Sequence, residues 1–184
     1  MKHILLVVIF VAITGNIVFA DDVVITGEQV AENESVQLDI ELSCSNTRIS
    51  INDEAAFDVK LINKGKEKLT VSAVLQWSYY TLMMIVRDET GKLMSSSDVF
   101  FYFPPPPHDT SVYISLFPNH YFGATLFEPA VNLFEKPGKY YVSVAYISLI
   151  SENHTEERFG IKNLWGRERN PITSNVIGPI EITK

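Results

Sequence analysis

The sequence predicts an all-β fold, an antiparallel β-sandwich of about seven to nine strands with little helix. Short apolar–polar alternations recur every eight to twelve residues or so, separated by Gly, Pro, Asn and Asp. No stretch sustains the 3.6-residue apolar period of a helix. The C-terminal third carries a Pro137-Gly138 turn, a Tyr- and Val-rich run from Tyr140 to Tyr146, a polar excursion, and an Ile-rich close from Val176 to Ile182. Two late strands bracketing a polar excursion make the expected sandwich immunoglobulin-like.

The elements follow in order. Asp21 to Ser35 is polar and without period, a lead-in with at most an edge strand through Val23 to Ile25. Val36, Leu38, Ile40 and Leu42 alternate with Gln37, Asp39, Glu41 and Ser43, the pattern of a strand with one wet face. Arg48 to Ile51 reads as a short continuation. Phe57, Val59 and Leu61 alternate, Asn63-Lys64-Gly65-Lys66 supplies a turn, and Leu69, Val71, Ala73 and Leu75 alternate after it, so Ala56 to Leu75 reads as a β-hairpin. Leu82 to Val86 is a run buried on both faces, and Asp88 to Lys92 is the next turn. Val99 to Phe103 is a short aromatic strand stopped by Pro104 to Pro107. Val112 to Phe117 and Phe122 to Phe127 are strands separated by Pro118-Asn119-His120.

The N-terminus reads as an address. Lys2 and His3, the apolar run Ile4 to Ile13, and Val18-Phe19-Ala20 before Asp21 form the three parts of a secretory signal peptide cleaved after Ala20. The expected organisation is therefore a signal over residues 1–20 and a single domain over 21–184, secreted or periplasmic, without a membrane span after cleavage. No Cys follows the signal, so no lipobox is present. Cys44 is the only cysteine, which excludes an internal disulfide, and it reads as a small buried hydrophobe. The formal charge is −7, and loss of Lys2 takes the remaining chain to −8. That balance argues against nucleic acid and anionic lipid as partners.

The strand–Asn63-Lys64-Gly65–strand unit, Val86-Arg87-Asp88-Glu89-Thr90-Gly91-Lys92, and Pro137-Gly138-Lys139-Tyr140-Tyr141-Val142 together resemble a broad group of bacterial exported immunoglobulin-like domains. Their order is similar to that of the bacterial intracellular proteinase inhibitor family, over roughly Val36 to Ile182. The resemblance implies an immunoglobulin-like fold. The export signal, the Pro104–Pro107 run and the polar loop Ser151 to Asn170 depart from that family, and no inhibitory residue matches position by position.

Catalytic signatures are missing: no Gly-x-Ser-x-Gly, no His-Glu-x-x-His, no phosphate-binding or dinucleotide loop. His108-Asp109, His120 and His154 to Glu157 match no ligand spacing, and Asp53-Glu54 and Glu156-Glu157 read as solvated loop charges. No catalytic residue, cofactor or metal site is expected. The sequons Asn33-Glu34-Ser35 and Asn153-His154-Thr155 matter only in a eukaryotic host.

Aromatic residues crowd between Trp77 and Phe122. Consecutive rings, Tyr79-Tyr80 and Phe100 to Phe103, point to opposite faces of a strand, so some must leave the core. Phe103-Pro104-Pro105-Pro106-Pro107-His108-Asp109 has the form of polyproline ligands read by aromatic grooves, but reads first as a stiff crossover between sheets. The expected function is an exported, non-enzymatic module that binds another macromolecule, a protein above all, through Tyr79, Tyr80, Phe101, Phe103, Pro104, Pro105, Pro106, Pro107 and Tyr121. Protease inhibition, carbohydrate binding, and a metal-binding or enzymatic domain are the alternatives.

Overall fold

Strand β1, Leu38–Cys44, buries Leu38, Ile40 and Leu42 and turns Glu41 and Ser43 to solvent, as period-two spacing demands. The computed structural model describes residues 37–76, 81–96, 110–148 and 150–184. The expected signal peptide, the lead-in and the aromatic strand Val99 to Phe103 lie outside the described residues. After β1 the chain turns on Asn46, whose side chain accepts from the Arg48 N–H at 3.1 Å. Strand β2, Arg48–Ser50, thereby joins a different sheet rather than continuing β1.

Strand β3, Glu54–Asn63, is followed by β4, Leu69–Ser72. The expected hairpin between them does not form. Strand β3 pairs with β1 on one side and with β8, Tyr121–Pro129, on the other, whereas β4 pairs with β7, Tyr113–Leu116. The registers Ile62↔Tyr121 and Leu69↔Leu116 run in the same sense. Asn63 and its neighbours bond across the gap, Asn63 N–H to His120 C=O at 3.0 Å and Asn119 N–H to Asn63 C=O at 2.8 Å. One long ribbon, β3–β4 against β7–β8, thus bends at Asn63 instead of reversing.

The bend has a local cause. The fully buried Asn63 side chain accepts from Gly65 N–H at 2.9 Å and donates to the carbonyls of Glu67 at 2.7 Å and Leu116 at 2.8 Å. It satisfies backbone groups that the interrupted ladder leaves open.

The second sheet has the order β2-β11-β9-β5-β6, with β5 Leu82–Asp88, β6 Leu93–Ser96, β9 Gly138–Tyr146 and β11 Ile177–Thr183; β10, Ile172–Thr173, also pairs with β9. Strand β2 lies parallel to β11, while the other pairings are antiparallel. The turn from β5 to β6 is built on Asp88. Its carboxylate accepts from the Thr90 hydroxyl and the N–H groups of Thr90 and Lys92, and these bonds hold its pKa below the usual range. The core lies between the sheets: Ile40, Phe57 and Leu61 from one, Met84, Val142, Val144 and Ile180 from the other.

Just before β9 a single helical turn, α1 (Ala130–Leu133), leads into a tyrosine corner. The buried Tyr140 hydroxyl donates to Lys136 C=O at 2.8 Å, and its ring packs 4.9 Å from that of Phe134. A tyrosine hydroxyl tied to the backbone a few residues upstream, at the start of this strand, marks immunoglobulin-like sandwiches. With a β1-β3-β8 sheet prolonged past Asn63 by the separate β4-β7 pair, a second large sheet, mostly antiparallel pairing, and β1 and β2 in different sheets, the chain has an immunoglobulin-like β-sandwich fold with little helix.

The polar excursion expected as a loop contains an eight-residue helix, α2, Glu152–Phe159. A segment this short is marginal on intrinsic propensity, so its ends carry it. The Ser151 hydroxyl accepts from His154 N–H at 3.4 Å, and Gly160 closes the helix at φ 67°, a left-handed conformation that glycine adopts without a Cβ penalty. Glu168 reaches back to accept from Glu152 N–H at 2.9 Å and the Ser151 hydroxyl at 2.7 Å. Burial opposes ionisation of Glu168, but these donors, with its own N–H and the Arg167 guanidinium, outweigh it and lower the carboxyl pKa.

After α2 a strap, residues 160–165, lies along the outer edge of β4. Thr70 N–H donates to Asn163 C=O and Trp165 N–H donates to Thr70 C=O, both at 2.8 Å. Trp165 is 1% exposed and belongs to the core, with the Arg169 guanidinium 5.3 Å from its ring centre. The open edge of β1 is closed differently. The Asn175 amide accepts from Leu42 N–H at 2.9 Å and donates to Leu42 C=O at 3.0 Å, so one side chain stands in for a strand.

Candidate functional site

The inner face of β8 is spent on the core, through Phe122, Ala124 and Leu126. Its outer face is Tyr121, Gly123, Thr125, Phe127 and Pro129, all exposed. Tyr121 is 65% and Phe127 61% exposed, and Phe117, in the turn that enters the strand, is 54% exposed. At ~3.4 Å per residue the two rings on the strand stand about 20 Å apart along one face. The neighbouring β3 contributes Ile62 opposite Tyr121 and Ala56 opposite Phe127, both half-buried.

A cation sits inside this row. Lys60 pairs in register with Gly123, and its ammonium lies 5.4 Å from the Tyr121 ring centre. The glycine makes that arrangement possible. A Cβ at residue 123 would stand 2.5 Å from Val59 C=O and 3.1 Å from Lys60 Cγ. The lysine stem therefore occupies the space where a side chain would be, and covers apolar surface on its way to the ring. One step along, the Thr125 hydroxyl donates to the Asp58 carboxylate at 2.5 Å. Phe117 packs edge-on to His120, with ring centres 5.8 Å apart.

Among the contact residues expected from the sequence, Tyr121 is the one the structure places, and it stands outward on this face. Tyr79, Tyr80, Phe101, Phe103 and Pro104 to Pro107 lie outside the described residues. The sequence reading did not single out Lys60 or Phe127. Phe127 was legible, because it shares the parity of Tyr121 in an alternating strand. Lys60 was not, because its place beside Tyr121 depends on the β3–β8 register.

Of the polar candidates, His108 and Asp109 lie outside the described residues, and His120 borders this face through Phe117. His120 sits in the turn before β8, and His154 is exposed on α2. Among the described residues no three His, Cys, Asp or Glu side chains gather as metal ligands. Cys44 is half-buried rather than fully buried, packs against the core, and its thiol donates to Asn46 C=O at 3.1 Å. Burial raises its pKa; the Asn46 hydrogen bond opposes this and the Asp58 charge adds to it. No helix among the described residues is long and apolar enough to cross a membrane.

No protein-family model matches the chain, and no curated protein matches it. Among solved structures it is similar to the CARDB domain of a Pyrococcus furiosus protein crystallised with di-metal ions, at 14% identity and a TM-score of 0.36, covering 82% of this chain and 90% of that one. It is similar at 8% identity and a TM-score of 0.39 to a β-glucosidase from Erythrobacter marinus, covering 80% of this chain and 16% of the enzyme. A β-glucosidase from Listeria innocua in complex with glucose matches at 10% identity and a TM-score of 0.35, covering 59% of this chain and 14% of that one. The chain thus spans a small part of either enzyme, and these likenesses say nothing about what it binds.

Proposed function

We propose that the chain is an exported, non-enzymatic β-sandwich module that binds another protein through the outer face of β8. The observation that carries this reading is the pair Tyr121 and Phe127, exposed on a strand whose opposite side packs against the core, with Phe117 exposed in the turn before it. Large aromatics gain little from solvent and much from a partner's pocket, and they dominate the energetics of protein interfaces. Lys60 beside Tyr121 adds a charge that can orient an acidic contact. Export rests on the tripartite N-terminus of the sequence.

The test is an affinity capture from the native host's envelope fraction with the chain from Asp21 to Lys184, beside a Tyr121→Ala/Phe127→Ala variant. The expected result is one stoichiometric protein that rebinds the purified chain and is lost with the variant, whose thermal midpoint stays near that of the parent. A partner retained in full by the variant would remove this face from the proposal.

A further inference from the structure

The strap closes the edge of β4 and also makes one wall of a cleft of about 380 Å³. That volume lies in the range of small-ligand sites, about 300–1,000 Å³. The facing wall is Lys68 just before β4, Thr70 in it, and Tyr113 and Ser115 of β7; the strap supplies Gly160, Ile161 and Lys162. The walls are tied together below the opening. The Asn163 amide donates to Lys68 C=O at 3.2 Å, and the Thr70 hydroxyl donates to Lys162 C=O at 3.2 Å. Two lysines far apart in sequence thus rise from backbone positions locked to each other.

The charge of the cleft runs against that of the chain. Among the described residues no carboxylate lines it, although the whole protein carries −7. Glu156 lies 3.9 Å from Lys162, but both side chains are at least half exposed, so that pair is weak. The Tyr113 ring is set by Phe159 of α2, with ring centres 6.4 Å apart, and offers an apolar face beside the hydroxyls of Thr110 and Ser115. At Gly160 a Cβ would meet nothing within 4 Å, so that side of the cleft is open to entry.

We propose that this cleft binds a single anionic sugar unit. Its acid group lies between Lys68 and Lys162, its hydroxyls meet Thr110 and Ser115, and its ring face covers Tyr113. Two lysines, with no carboxylate among the described lining residues, call for an anion. The aromatic face and the hydroxyls select a polyhydroxylated ring over an inorganic ion. The cleft belongs to the β4–β7 arm and does not depend on the protein-binding face of β8.

The test is an amide NMR titration of the chain with D-glucuronate, D-glucose 6-phosphate, D-glucose and inorganic phosphate. Glucuronate or glucose 6-phosphate is expected to shift the amides of residues 68–70, 113–115 and 160–162 saturably, with Kd on the order of 1 mM; the two compounds separate a carboxylate from a phosphate ester. Glucose and phosphate are expected to bind at least about tenfold more weakly, as is the better anionic sugar to Lys68→Met/Lys162→Met. Ser115→Asp, which puts a carboxylate at an exposed strand position, is expected to abolish the shifts without the lysine changes. Absence of shifts at these amides with both anionic sugars overturns the proposal. So does equal binding of glucose, which would make the lysines idle, or equal binding of phosphate, which would make the ring contacts idle.

Discussion

The two arms of the bent ribbon, β3–β8 and β4–β7, are both antiparallel strand pairs, yet their outer sides are finished differently. On the β3–β8 arm the outer face stays open among the described residues and shows Tyr121 and Phe127 with Lys60 between β3 and β8. On the β4–β7 arm the strap lies on the edge of β4 and plugs Trp165 into the core. The strap comes from a sequence-distant excursion held by helix caps and one carboxylate. The comparison teaches that β pairing builds both arms, while a later segment decides which is left bare.

The largest way to break that difference is to release the strap. Trp165→Ala is expected to cost about 3–5 kcal/mol, the range for a buried large aromatic cut to alanine. Amides of Thr70 and Trp165 should lose hydrogen-exchange protection before those of β3 and β8. Asn63→Ala removes the bend's three side-chain bonds and leaves the Glu67 and Leu116 carbonyls wanting, at an expected cost of about 2–4 kcal/mol in denaturant unfolding. Both arms should loosen together, because the joint is shared.

Gly123→Ala tests the open arm. The clash with Val59 C=O and the Lys60 stem is expected to cost about 1–3 kcal/mol and to shift the Tyr121 ring resonances as Lys60 is displaced. A pH titration sharpens the contrast further. Glu168 has a folded-state pKa below its ordinary value of 4.5. Its contribution is therefore complete above that value and is lost as pH falls through the lower folded value. Amides of α2 and the strap should lose protection over this acid window, and Glu168→Gln should remove that dependence while leaving β8 unaffected. The smallest effect on stability is expected for Tyr121→Ala, within about 0.5 kcal/mol by thermal melt, because an exposed ring supports little of the fold.

Several elements were legible in the sequence because period-two alternation is a local rule. Leu38, Ile40 and Leu42 in β1, Phe57, Val59 and Leu61 in β3, and Tyr140 in β9 are buried where their parity places them. The helix α2 was not legible, since eight polar residues show no apolar stripe, and its caps include Glu168 from beyond the helix itself. The candidate face was half legible: Tyr121 stood out as an aromatic near a strand start, whereas Lys60 entered through register alone. Trp165 sits in a polar stretch that reads as a loop, and nothing local marks it as core.

By itself the sequence determined the all-β class, the turn at Asp88, and which parity of β1 and β3 faces inward, because these depend on neighbouring residues and backbone preference; Gly138, expected in a tight turn, instead begins β9 without a positive φ. Only the tertiary structure decided whether Asn63 would reverse the chain or bend it. Alternation on both sides of Asn63 satisfies either course equally, and the choice falls to partners more than fifty residues away, Leu116 and His120, whose carbonyls meet Asn63. The same holds for the closed and open arms: a strand's edge is local, but what covers it is supplied by whichever distant segment can satisfy its N–H and C=O groups.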